Sequence, residues 1–268
     1  MKVNGIDYIA IHRTSRDQYC GVFFGLAVAF DLVPEVRDDV RDLVTRLLDF
    51  LLDHHWTIAL PGGGFSTVFI GKPEQQLTLT RIGAHVNPKK FGAKYKKLRV
   101  ALAALVIVPL SAETLDPHNA YFKFNLGAIN MFNLIRLEDD GLARKLYRKA
   151  YAVVRRTTDD HGNAHFNMID RGIGKANTAR DTATVAMLEE WLKRPRRDFW
   201  IDLTGKYKNC GQKDRACKAI PIAERVNTDF LWQRSPFMLF GGGTGKIETP
   251  GIDFILPYWM GRHYGVIA

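Results

Sequence analysis

The sequence predicts a mainly α-helical protein built of consecutive helical hairpins around a polar site. Three observations carry this. Residues 12–33 press six polar or charged residues, Arg13 to Gln18, directly against an unusually apolar run with helical character. Residues 121–137 (YFKFNLGAINMFNLIRL) form a second run that is apolar on more than one face. Amphipathic segments alternate with both. A helix apolar on nearly every side is expected to be buried on nearly every side. Its polar leading end then opens into a cavity, where the inner helices of a ring or bundle begin.

The elements follow in order. After the opening helix, Pro34 starts a second pattern in which Val36, Val40, Leu43, Val44, Leu47, Leu48, Leu51 and Leu52 recur at helical spacing. This predicts an amphipathic helix packed on the first as an antiparallel hairpin. Trp56–Leu60 leads into PGGGFST, a turn-rich loop or short hairpin. Residues 66–97 hold fragments of helical and strand pattern, broken by Gly and Pro. Helical character returns at 97–110 and at 121–137, and residues 139–157 are amphipathic and basic. DDHGNAHF then predicts a turn, and 178–192 a further helix stopped by Pro195. The last third is irregular and rich in aromatics and Gly. One domain over 1–268 is expected, with a helical body at about 12–192 and a closing segment at about 195–268.

Composition is that of an ordinary globular chain of 268 residues, 46% hydrophobic and 25% charged. The net charge of +10 directs attention to anionic partners. Its clusters, at 89–97, 144–156 and 193–197, read as solvated basic faces, and no nucleic-acid motif accompanies them. No segment reaches the ~18 uninterrupted apolar residues of a spanning helix, and the start lacks a signal peptide's pattern. A soluble chain is expected, either cytoplasmic or secreted after loss of a leader. Cys210 and Cys217 are separated by six residues in a polar loop and read equally as a disulfide or as free thiols; the first would argue for an oxidising compartment.

Ser15 or Thr14 can cap the opening helix, with Asp17 and Gln18 in its first turn. Capping leaves Arg13 and Arg16 unexplained, since cations there oppose the helix dipole; a bound anion or partner carboxylates would explain them. His118, Asn119, Tyr121, Lys123 and Asn125 form a second polar set at the head of the second apolar run. His161 and His165 stand beside two aspartates, but Gly162 and Asn163 signal a turn, so no metal is assigned. GGGTGK (241–246) lacks the first Gly of a phosphate loop and the hydroxyl after its Lys, and reads as a flexible loop. No GxSxG elbow, GxGxxG fingerprint or HExxH helix occurs, and no cofactor is expected. Trp232, Gln233, Arg234, Phe237, Asp253, Tyr258, Trp259, Arg262, His263 and Tyr264 either cement the C-terminal segment to a core or line a pocket.

The opening helix with its SRDQ lip, the hairpin alternation and the aromatic C-terminal part resemble the (α/α) toroid enzymes that act on carbohydrates. The likeness is architectural and covers about residues 12–192. Only three or four hairpins are counted, so an incomplete toroid, or part of a larger protein, is expected. The resemblance implies glycoside hydrolysis by a carboxyl pair. Asp17 and Asp253 are the first pair, with Asp181 as substitute for either. Arg16, Gln18, Asn119, Tyr121, Arg234, Tyr258 and Arg262 would bind an oligosaccharide while Trp232 and Trp259 stack on its rings. An alternative is a lyase on acidic glycans, with Tyr258 or His118 as base and Arg16 or Asn119 neutralising the uronate. A non-catalytic helical scaffold is another. An isoprenoid cyclase would need a richer acidic motif than Asp139-Asp140 or Asp159-Asp160.

Overall fold

The computed structural model describes residues 2–3, 5–7, 13–60, 63–115, 121–194, 199–208, 210, 217–226, 235–244 and 251–268. Ten α-helices dominate these residues, with three two-stranded antiparallel sheets. The chain divides into two compact units, residues 1–105 and 106–268.

In the first unit, β1 (Lys2–Val3) and β2 (Ile6–Asp7) precede α1 (Arg16–Leu32). Ser15 starts α1 through a capping box: the Gln18 N–H donates to Ser15 Oγ (3.2 Å) and the Ser15 N–H to Gln18 Oε1 (2.8 Å). A 3₁₀ turn at Pro34–Val36 reverses the chain into α2 (Arg37–Asp53), which buries Val40, Val44, Leu48 and Leu51, the stripe its spacing predicted. His55 and Trp56, both left-handed, then turn the chain into a hairpin of β3 (Thr57–Ala59) and β4 (Phe65–Val68).

The stretch that was unreadable in sequence is two helices, α3 (Pro73–Val86) and α4 (Pro88–Leu102). The prolines that looked like breakers stand in the first turns, where the missing N–H is no loss. Gly83 is a contact point: a Cβ there would fall onto Leu48 Cδ2 and lie 3.1 Å from Phe91. Accordingly α3 is buried from Leu77 to Leu79 and again at Ile82 and Val86. α1 departs from expectation. Among the described residues, α1 buries only Cys20, Phe23 and Ala27, Val22 and Leu32 are about half exposed, and no atom comes within 4 Å of a Cβ added at Gly21 or Gly25. Its apolar character therefore exceeds what packs against it.

In the second unit, α5 (Ile107–Glu113) packs on α7 (Leu142–Thr158), and α6 (Phe122–Leu137) packs on α7 and on α8 (Ala164–Ile173). α8 in turn meets α9 (Thr178–Leu192) and α10 (Ile252–His263). α6 is buried almost all round, as its sequence predicted. α7 buries one stripe, Tyr147, Ala150, Tyr151 and Val154. The turn expected at DDHGNAHF is shorter than predicted, because Asn163 is the N-cap of α8: its Oδ1 accepts from the N–H groups of His165 and Phe166. The closing segment is not wholly irregular. β5 (Phe199–Asp202) pairs with β6 (Phe240–Thr244), so the first four residues of GGGTGK are strand. α10 runs through Pro257. Cys210 and Cys217 form a disulfide.

Candidate functional site

In each unit, polar side chains gather where buried helices begin. In the first unit, β4 positions the approach to α1. The Thr14 N–H donates to Ser66 Oγ (2.8 Å), and the hydroxyls of Ser66 and Thr67 donate back to the Thr14 carbonyl (2.7 and 2.8 Å). Arg16 and Asp17 follow in the first turn of α1, and Tyr19 meets Phe69 edge-on at 5.7 Å. Glu74 and Gln75 occupy the first turn of α3 and are 3% and 4% exposed. Glu74 Oε2 and Gln75 Oε1 are buried without a hydrogen-bond partner among the described residues.

The electrostatics join these two helix starts. Burial pushes the Glu74 carboxyl above the usual glutamate range, against the opposing pull of its own backbone N–H, Lys72, Arg16 and Gln75. Burial also raises Asp17, against Arg16 and its own backbone N–H. The same guanidinium thus acts on both carboxyls. Desolvation is the largest influence on each, so both are raised above their ordinary ranges, Glu74 being the more deeply buried of the two. A carboxyl group raised above its ordinary range is what general-acid chemistry needs.

Gln18 has a structural task, since its side-chain oxygen accepts from Ser15 N–H and from the Thr14 hydroxyl (3.0 Å). Sequence reasoning passed over Glu74. The signal available was Lys-Pro-Glu-Gln-Gln, in which Pro followed by Glu marks the first turn of a helix.

In the second unit, Tyr121, His161, Asn163, His165 and Asp253 lie at or near the starts of α6, α8 and α10. Tyr121 Oη and His161 Nδ1 are 3.2 Å apart. Burial raises the Tyr121 phenol well beyond its ordinary range. The His165 imidazole is pushed down to about 3 by burial and stays neutral, with Nε2 3.1 Å from Asn125 Oδ1. Arg225, fully buried, donates to the carbonyls of His161 (2.6 Å), Gly162 (3.0 Å) and Ile220 (2.9 Å). Desolvation lowers it to about 10, which leaves it charged at neutral pH. The resulting lattice is buried polar packing of the kind that fixes backbone geometry.

Asp253 is 6% exposed. With Gly162, Asn163, Ala164, Met187, Leu188, Trp191 and Ile222 it lines a cavity of about 20 Å³, room for one water and far too small for a sugar ring. Asp181 pairs with Arg171 (3.5 Å) in the first turn of α9. Tyr258 stacks on Phe254 (5.6 Å), while Trp259 is 62% exposed on α10 and Arg262 is exposed one turn further on. Asn119, Trp232 and Arg234, together with His118 and Gln233, lie outside the described residues. No group of three or more His, Cys, Asp or Glu able to hold a metal occurs among the described residues. No single described helix is long and apolar enough to cross a membrane.

No protein-family model, curated protein or solved structure matches this chain.

Proposed function

We propose that this protein acts on carbohydrates by glycoside hydrolase-type chemistry, with Asp17 and Glu74 as its carboxyl pair. The observation that carries the reading is the shared environment of these two groups. Each stands in the first turn of a helix of one compact unit, each is raised by burial, and Arg16 bears on both. Glu74, the more deeply buried, is the proton donor to the glycosidic oxygen. Asp17, half-buried at the lip, is the carboxylate that stabilises the developing oxocarbenium centre, directly or through an activated water. Tyr19, two residues after Asp17 and edge-on to Phe69, supplies an aromatic face, and Gln75 an amide oxygen without a partner among the described residues for a sugar hydroxyl. The successive hairpins α1–α2 and α3–α4 suit an arc of an (α/α) toroid, in which inner helices begin at the site. The Cys210–Cys217 disulfide fits an oxidising compartment.

Turnover of a glycan panel, followed by Asp17→Asn and Glu74→Gln, tests the assignment. Each substitution is expected to lower kcat by about 10²–10⁴-fold, and Glu74→Gln is expected to remove the alkaline limb of the pH profile, which belongs to the proton donor. Full activity in either variant refutes the pair. A panel without any turnover favours the non-catalytic scaffold.

A further inference from the structure

The positive charge of this protein is concentrated on two helices. α4 holds six Lys or Arg and no acidic residue, and α7 holds six and none. The rest of the chain, with 26 basic against 28 acidic residues, is close to neutral. Each unit carries one of these helices. Their inward faces are apolar, with Phe91 and Tyr95 buried on α4 and Tyr147, Ala150 and Val154 on α7. A few of the cations have internal work: Lys90 pairs with Asp49, Arg144 with Asp140 (2.6 Å), and Arg155 with Asp159 (2.8 Å). Lys89, Lys94, Lys96 and Lys97 on α4, and Lys145, Arg148, Lys149 and Arg156 on α7, are exposed and make no ion pair among the described residues.

We infer that the exposed faces of α4 and α7 are docking surfaces for an acidic polysaccharide, a polyuronate with one carboxylate per sugar. Like charges crowded on a helix repel one another and weaken it, so four unneutralised cations on each of these helices call for a polyanion outside the chain. The spacing is sparse. Lys89, Lys94 and Lys97, in no ion pair among the described residues, follow at about 7.5 and 4.5 Å along the helix axis, which suits a polymer charged once per monomer. Duplex DNA carries a charge every ~1.7 Å. Single-stranded nucleic acid is bound with exposed aromatics that stack on bases, and the aromatics of these helices, Phe91, Tyr95, Tyr147 and Tyr151, are buried. The choice of a glycan as the polyanion rests on the carbohydrate reading above; the surface would hold substrate chains near the protein without taking part in bond cleavage.

Affinity electrophoresis through polygalacturonate at about 50 mM salt, with dextran, duplex DNA and phosphatidylserine vesicles as parallel arms, tests this. The wild type is expected to be retarded by polygalacturonate and not by dextran, with affinity falling as salt rises. The combined variant Lys94→Glu, Lys97→Glu, Arg148→Glu, Lys149→Glu is expected to bind at least ~tenfold more weakly with an unchanged thermal melt. No retardation of the wild type, equal retardation of the variant, or tighter binding to DNA or vesicles overturns the inference. Glycan turnover without retardation would sink this surface and leave the Asp17–Glu74 site standing; retardation without turnover would do the reverse.

Discussion

Glu74 shows how a single residue can be out of balance with its surroundings. A glutamate at a helix start is locally favourable, because its charge complements the exposed N–H groups. Here the same carboxyl is buried, one oxygen is left without a partner, and desolvation outweighs every stabilising neighbour. The consequence for stability has a definite sign. The folded state holds the proton more tightly than the unfolded chain does, so the group's contribution is fully present below the ordinary glutamate value of 4.5 and is lost as pH rises through the raised value. Glu74→Gln keeps the shape and removes the ionisation. Its melting temperature should exceed that of the wild type at pH 7, and the gain should shrink to nothing in acid. A gain that is independent of pH would contradict the assignment. Greater stability bought by a loss of activity is the trade-off expected of a functional carboxyl.

Among the helices, glycine separates close packing from open surface. Gly83 of α3 presses on Leu48 and Phe91, and Gly127 of α6 approaches Leu110 Cδ2 so closely that an added Cβ would lie 2.9 Å away. Gly21 and Gly25 of α1 have nothing within 4 Å of an added Cβ among the described residues. Alanine should therefore have opposite effects. Gly83→Ala is expected to cost about 1–3 kcal/mol through overpacking, whereas Gly21→Ala should gain up to ~1 kcal/mol from helix propensity alone. Urea denaturation of the two variants measures both. Destabilisation by Gly21→Ala would show that something covers this face of α1 in solution.

For the whole molecule, the division into two units and the concentration of charge on α4 and α7 are the large-scale features. The Cys210–Cys217 bridge closes a short loop within the second unit. Nearby, Lys206 pairs with Glu224 and the Tyr207 hydroxyl donates to the same carboxylate (3.0 Å). The chain-entropy account gives such a bridge about 2 kcal/mol. Replacing both cysteines by serine should lower the thermal midpoint by that equivalent, and reductant should lower the wild type but not the variant. Equal midpoints for variant and wild type would show that the ion pair and hydroxyl hold the loop unaided.

The sequence by itself determined the helical class, the α2 stripe, the enclosed α6, the amphipathic α7 and a cap at Thr14 or Ser15, of which the structure uses Ser15, because periodicity and capping are local properties. Tertiary structure decided what local pattern cannot express. Pro73, Pro88 and Gly83 look like interruptions until neighbouring helices show them to be first-turn prolines and a contact point. Gly162-Asn163 looks like a plain turn until Asn163 is seen capping α8. Pro257 and Gly261 hide α10 in the same way. α1 has the composition of an enclosed helix, yet among the described residues one side is left uncovered, since burial depends on what packs against a face and not on the face alone. Glu74 and Asp17 are 57 positions apart in the chain; only folding brings one guanidinium to bear on both and strips water from each carboxyl.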